Sequence, residues 1–148
     1  CDKYVFVCLT EHKEKYDIDK ILYDEYPNST VVLIDEITEG QACTAEVGII
    51  KSGIDWNEPL LISSCDYGLE WDEFKYNARF PVVNEGRIKK TKYFLDGLGR
   101  IYDNDIKSNG EFYIDNIFNA LSELNIKIFD VNKYHCWGTP EELKKYEN

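Results

Sequence analysis

Two short apolar runs rich in β-formers, Tyr4-Val-Phe-Val-Cys-Leu9 and Thr30-Val-Val-Leu-Ile34, interrupt a polar opening stretch and read as buried strands. Between them, Ile18, Ile21, Leu22 and Glu25 recur at helical spacing over Asp17 to Tyr26, and Pro27-Asn28 stops the run. Gln41 to Ile50 carries the pattern of a second helix closed by Ser52-Gly53, and Pro59-Leu-Leu-Ile-Ser-Ser64 reads as a third strand. Strands and helices alternating at this spacing predict parallel pairing through right-handed crossovers. The expected fold class is α/β, with a sheet covered on both faces.

The middle has no clean period. Val82-Val83 followed by Asn84-Glu85-Gly86 suits a hairpin turn, and Tyr93 to Ile101 reads as a helix in spite of Gly97 and Gly99. Order returns at Glu111 to Leu124, where Ile114, Ile117, Phe118, Leu121 and Leu124 share one helical face and Asn125 stands at the C-terminal position. Ile126 to Val131 alternates as a strand. Thr139-Pro140-Glu141-Glu142 opens a last helix, with Thr139 as N-cap, Pro140 at the first position and Glu142 completing a capping box. No repeat, low-complexity tract or linker divides residues 1–148, which read as one domain.

Composition narrows the function. Hydrophobic residues make up 43% and aromatics 14%, too much apolar side chain for a disordered segment, and no apolar run approaches the ~20 residues that cross a bilayer. The 17 basic and 28 acidic residues leave a net charge of −11. No Lys/Arg cluster is dense enough to replace phosphate counterions, so neither nucleic acid nor an anionic membrane surface is an expected partner. Small phosphorylated ligands remain compatible, because a divalent cation can hold them against carboxylates. The five cysteines form no CxxC pair and read as reduced residues of a cytoplasmic protein. A homo-oligomer stays open.

Ligands in open α/β sheets bind beyond the carboxyl ends of the strands. Asp66 stands there, just past the strand ending at Ser64, in the string Ser63-Ser64-Cys65-Asp66-Tyr67-Gly68. A carboxylate in that place can meet a divalent cation and its phosphates; the same residue also suits a plain turn before Gly68. Asp115 falls near the start of the Glu111 helix, where the helix dipole favours a carboxylate with or without a ligand. A metal-dependent phosphate reaction needs two such oxygen ligands converging from distant positions. In Thr38-Glu39-Gly40-Gln41, Gly40 admits close approach of a flat ligand and Gln41 offers a donor and an acceptor to a base edge; the same residues make an ordinary strand-to-helix turn. His12 and His135 have no Ser, Cys or Asp partner at a catalytic spacing and read as surface or packing residues. Glu11, Glu14, Asp17 and Asp19 read as a solvated helix face.

Four strings in this order resemble the sugar-phosphate nucleotidyltransferase family: Thr38-Glu-Gly-Gln41 with Thr44-Ala45, Pro59-Leu-Leu-Ile-Ser-Ser-Cys-Asp66, Asn109-Gly-Glu-Phe-Tyr-Ile-Asp115, and Trp137-Gly-Thr-Pro-Glu-Glu-Leu143. The resemblance implies a Rossmann-like three-layer fold with a mixed, mostly parallel sheet. It implies transfer of a nucleoside monophosphate from a triphosphate to a sugar 1-phosphate, with release of pyrophosphate. By position, Asp66 and Asp115 would be the catalytic ligands of a Mg²⁺ cofactor. Gly40 and Gln41 would contact the nucleobase, Glu111 would lie near the sugar phosphate, and Gly138 and Thr139 would close that pocket. The strings around Cys65 and Cys136 look closest to a branch found beside bacterial surface-polysaccharide genes. Some members of that branch are cytidylyltransferases for a phosphorylated choline, amine or amino acid, and a non-catalytic nucleotide-binding module is the reading from outside enzymes. The family's Gly-rich phosphate loop would precede Tyr4, and its centre is shortened here between Tyr76 and Tyr93. With the start at Cys1 and no methionine, the expectation is a longer polypeptide of which an N-terminal segment and part of the middle are missing.

Overall fold

The computed structural model describes residues 3–70, 90–124 and 131–147. Tyr4–Leu9 (β1) and Ser29–Ile34 (β2) pair in parallel, Tyr4 opposite Ser29 and Leu9 opposite Ile34. Their crossover is helical from its first residue: Thr10–Tyr16 (α1) and Ile18–Glu25 (α2) are separated only by Asp17. Asp17 adopts φ 51°, ψ 36°, and its N–H returns to the Lys13 carbonyl at 3.0 Å. Asp tolerates this left-handed conformation better than most residues, which is why the helix expected from Asp17 begins one residue later and a second helix precedes it. Gln41–Ser52 (α3) follows β2 and ends at Gly53, at φ 70°.

The expected third strand is corrected. Apart from one bridge at Leu60, Pro59 to Ser64 joins no ladder among the described residues. Pro59 has no N–H to give. The Ser63 hydroxyl turns to the Ser64 carbonyl at 3.1 Å, a local bond to backbone that competes with a ladder, and the Ser64 hydroxyl donates to Asp66. The segment still runs in the direction of β1. Lys3 Nζ meets Glu58 at 3.2 Å near one end; near the other, burial and then Cys65 push the Cys8 thiol up. Leu60 and Ile62 pack against the core.

A second pairing is antiparallel: Tyr67–Glu70 (β3) against Lys133–Cys136 (β4), with Tyr67 opposite Cys136. The described residues thus form a mixed α/β fold with two two-stranded sheets, one parallel and one antiparallel, a smaller parallel sheet than expected. The expected hairpin at 82–88 and most of the expected strand at 126–131 lie outside the described residues.

The core lies between α3 and two later helices, Thr91–Asp103 (α4) and Ile114–Ala120 (α5). Phe94, Leu98 and Ile101 on α4, Ile117 on α5 and Ala42 on α3 are 0–1% exposed. Gly97 sets the distance between α4 and α5: a Cβ there would stand 2.6 Å from Ile117 Cγ2 and 2.9 Å from Leu121 Cδ1. The last helix, Pro140–Glu147 (α6), has the expected capping box. Glu142 Oε2 accepts from the Thr139 amide at 3.1 Å and hydroxyl at 3.0 Å, and the Glu142 amide donates to Thr139 Oγ1 at 3.3 Å. Among the described residues, no helix is long and apolar enough to cross a membrane.

Ile117 fills the space that Gly97 leaves, so Ile117→Ala should cost about 2–5 kcal/mol, read as a lower urea midpoint. Ile37→Ala, at a side chain 85% exposed, should change stability by less than about 0.5 kcal/mol. Equal midpoints for the two variants would contradict this core.

Candidate functional site

The helix expected from Glu111 starts only at Ile114, after an extended N-cap at Tyr113, and the backbone of Phe112 before it bonds to a distant segment. Its N–H donates to the Glu39 carbonyl at 2.9 Å, and its carbonyl accepts from the Ala42 amide at 3.0 Å. Gly40 lies between those partners at φ 133°. A Cβ there would stand 2.7 Å from both the amide nitrogen and the carbonyl oxygen of Phe112, so no other residue fits without movement. Just before, Asn109 and Gly110 take φ 52° and 85° in a tight turn, closed by paired Ser108 and Glu111 backbone bonds at 2.9 and 3.0 Å.

This contact sets the start of α3 beside the start of α5. The result is a cavity of about 330 Å³ lined by Gln41 of α3, by Ile114, Asp115 and Phe118 of α5, by Leu60 and Ile62, and by Tyr67 of β3. Mostly apolar walls with a few convergent polar groups are the usual make-up of a small-molecule site. Gln41 and Asp115, 74 positions apart by subtraction of their numbers, therefore share one cavity.

Asp66 stands next to Tyr67, exposed, with its Oδ1 accepting from the Ser64 hydroxyl. Its carbonyl accepts from the Trp137 amide at 2.8 Å, which extends the β3–β4 pairing toward Gly138. A Cβ on Gly138 would lie 3.8 Å from each of Asp66 Oδ2, Cys136 Sγ and Glu142 Oε2. Asp66, Gly138 and Thr139 thus gather at the end of the β3–β4 ribbon, and Gln41 and Asp115 in the cavity, with Tyr67 adjoining both groups. Glu111 is exposed at its turn and does not line the cavity, and Gly40 is buried behind it.

Of the two histidines, His135 pairs with Glu70 at 2.5 Å and stacks on Trp137 at 6.3 Å, a packing role. That hydrogen bond, before Lys133, holds the Glu70 carboxyl below its ordinary value. Reasoning from sequence missed Tyr67, Phe112, Tyr102 and Lys107. The signal for Phe112 was an aromatic residue directly after a tight turn, inside what reads as continuous helical periodicity.

Carboxylate oxygens beside a cavity match magnesium in donor chemistry, since that ion takes one or two protein carboxylates and completes its shell with water and phosphate oxygens. No group of three or more His, Cys, Asp or Glu able to hold a metal occurs among the described residues.

Replacing Gly40 with Ala adds both left-handed strain and a clash with Phe112 backbone, and should cost about 3 kcal/mol. Gly53→Ala, with nothing within 4 Å of its added Cβ, should cost only about 1 kcal/mol. Chemical denaturation of the two variants checks the order, and a Gly40→Ala protein as stable as Gly53→Ala would contradict the contact.

No family model and none of the curated proteins compared matches the chain. Among solved structures it is similar to a crystal structure of the nucleoside-diphosphate-sugar pyrophosphorylase from Vibrio cholerae RC9. The TM-score is 0.63 at 12% identity, over 97% of this chain and 80% of that one. At that identity the likeness concerns the fold alone: this chain shares a mixed α/β fold with that protein.

Proposed function

We propose that this chain is a nucleotidyltransferase that moves a nucleoside monophosphate from a nucleoside triphosphate to a sugar 1-phosphate and releases pyrophosphate. It would work in the cytoplasm on precursors of surface polysaccharide. The observation that carries the reading is the fold likeness, over 97% of the chain, to a protein that is itself a nucleoside-diphosphate-sugar pyrophosphorylase. The shared cavity of Gln41 and Asp115 beside Tyr67 is consistent with it.

In this reading an oxygen of the acceptor phosphate attacks the α-phosphorus of the triphosphate. A new P–O bond forms there as the bond to the β-phosphate oxygen breaks and pyrophosphate leaves. The nucleophile is already an anion, so no side chain needs to remove a proton. Gln41 presents its amide to the base, and the apolar walls from Leu60, Ile62, Ile114 and Phe118 exclude water around it. Glu111, Gly138 and Thr139 belong to the acceptor side. Asp66 and Asp115 would hold magnesium, whose contribution when bound is to offset the negative charge on phosphate oxygens. A chain of net charge −11 otherwise repels two phosphorylated substrates.

Asp66→Asn in the full polypeptide keeps the shape of the side chain and removes its charge. Pyrophosphate release, assayed with several nucleoside triphosphates and glucose 1-phosphate, should fall by at least about 10³-fold with an unchanged circular dichroism spectrum. Wild-type rates in this variant would sink the role of Asp66. EDTA should likewise stop release by the wild-type protein and added Mg²⁺ restore it; turnover that is indifferent to EDTA would remove magnesium from the mechanism.

A further inference from the structure

Helix α3 starts at Gly40 without a side-chain cap bond. Its first turn is held partly from within, by Thr38 Oγ1 to the Gly40 carbonyl at 2.9 Å and to Thr44 Oγ1 at 2.6 Å. The rest comes from outside, through Phe112. A helix start that leans on a distant backbone stands only as steadily as that backbone. What holds Phe112 in place therefore decides where Gln41, the first residue of α3, is presented to the cavity.

Two side chains hold it. From behind, Tyr102 meets the Phe112 ring edge-on, with centroids 4.8 Å apart. Its hydroxyl donates to Glu46 Oε2 at 2.9 Å and lies 3.2 Å from Cys43 Sγ, both on α3. From outside, Lys107 Nζ lies 4.5 Å from the centroid of the Phe112 ring and 3.2 Å from Glu39 Oε2. These are the same two residues whose backbones share the Phe112-to-Glu39 hydrogen bond. An exposed ion pair alone is worth little. The Lys107 side chain is 28% exposed, and its ammonium also lies over an aromatic face, which adds a cation–π attraction. Lys107 and Glu39 lie 68 positions apart in the chain.

We infer that Lys107 is a positioning residue of the cavity: by clamping the Glu39 carboxylate to the Phe112 ring, it fixes where Gln41 stands relative to Asp115. Its other contact, Asp105 at 3.3 Å, lies outside the clamp and supplies the control. The clamp is a property of the fold, and its effect on the nucleotide rests on the transferase reading above.

The test has two arms on the full polypeptide. In the first, amide hydrogen exchange is followed without ligand. Lys107→Met should speed exchange at Ala42 and Phe112, whose amides make the two inter-segment bonds, by about tenfold or more, and leave the core amide of Leu98 unchanged. Lys107→Arg should restore protection, and Asp105→Asn should exchange like wild type. In the second, pyrophosphate release is measured with CTP, UTP, ATP, GTP or dTTP and glucose 1-phosphate. Lys107→Met should raise the KM for the nucleotide about tenfold with kcat within about twofold, the signature of lost binding contact rather than lost chemistry, and Lys107→Arg should reverse it. Unchanged exchange in Lys107→Met overturns the clamp. Faster exchange with an unchanged KM overturns the positioning role and leaves Lys107 a brace. A wild-type protein without turnover sinks the transferase reading instead, and the exchange arm then decides the clamp alone.

Discussion

Two stretches of backbone, at Gly40 and at Phe112, approach more closely than any side chain would allow, and the cavity follows from that approach. The Phe112 amide and carbonyl are committed to Glu39 and Ala42, and the following residue, Tyr113, is extended at φ −94° and ψ 153°. The helix that carries Asp115 consequently begins at Ile114, in the place where its first turn faces the first turn of α3. Backbone hydrogen bonds cannot be left unmade in a buried place, so the contact is an all-or-none constraint that a neighbouring side chain can steady but not replace.

The rest of the architecture supplies walls and supports. Close packing of α4 on α5 through Gly97 gives α5 a rigid floor. The run from Pro59 keeps Leu60 and Ile62 turned to the core while its serines bond locally. The β3–β4 ribbon carries Tyr67 to the cavity and ties Asp66 to the segment before α6 through the Trp137 amide. Trp137 itself stacks with His135 and meets Tyr146 of α6 edge-on at 5.0 Å, so the C-terminal helix is fastened to the ribbon by aromatic contacts as well as by its capping box.

Electrostatics sets the terms for any ligand here. With an excess of eleven negative charges and with Asp115 in the cavity wall, an anionic ligand meets repulsion unless a cation is shared with it. Lys107, which pairs with Glu39 next to Gly40, is engaged by Glu39 and then Asp105, which together hold its ammonium above the ordinary value. It acts as a structural charge.

Local rules made β1, β2, α2, α3 and the α6 capping box legible in the sequence, since apolar periodicity, Pro and Gly stops and capping residues are all short-range signals. The same rules located the turn at Gly40 and the acid after Ser64, and marked Gln41 and Asp115 as residues able to meet a ligand. They read Pro59–Ser64 as a strand, whereas among the described residues it forms only the bridge at Leu60, because an apolar run has the same pattern whether or not it joins a ladder. They also started a helix at Glu111, because helical spacing does not reveal a backbone already engaged 70 residues away. The sequence by itself determined which elements form and which residues have the chemistry for a site. Only the tertiary structure decided that Gln41 and Asp115 share a cavity and that Glu111 does not line it, because that choice depends on one long-range contact whose partners carry no mark of each other in the chain.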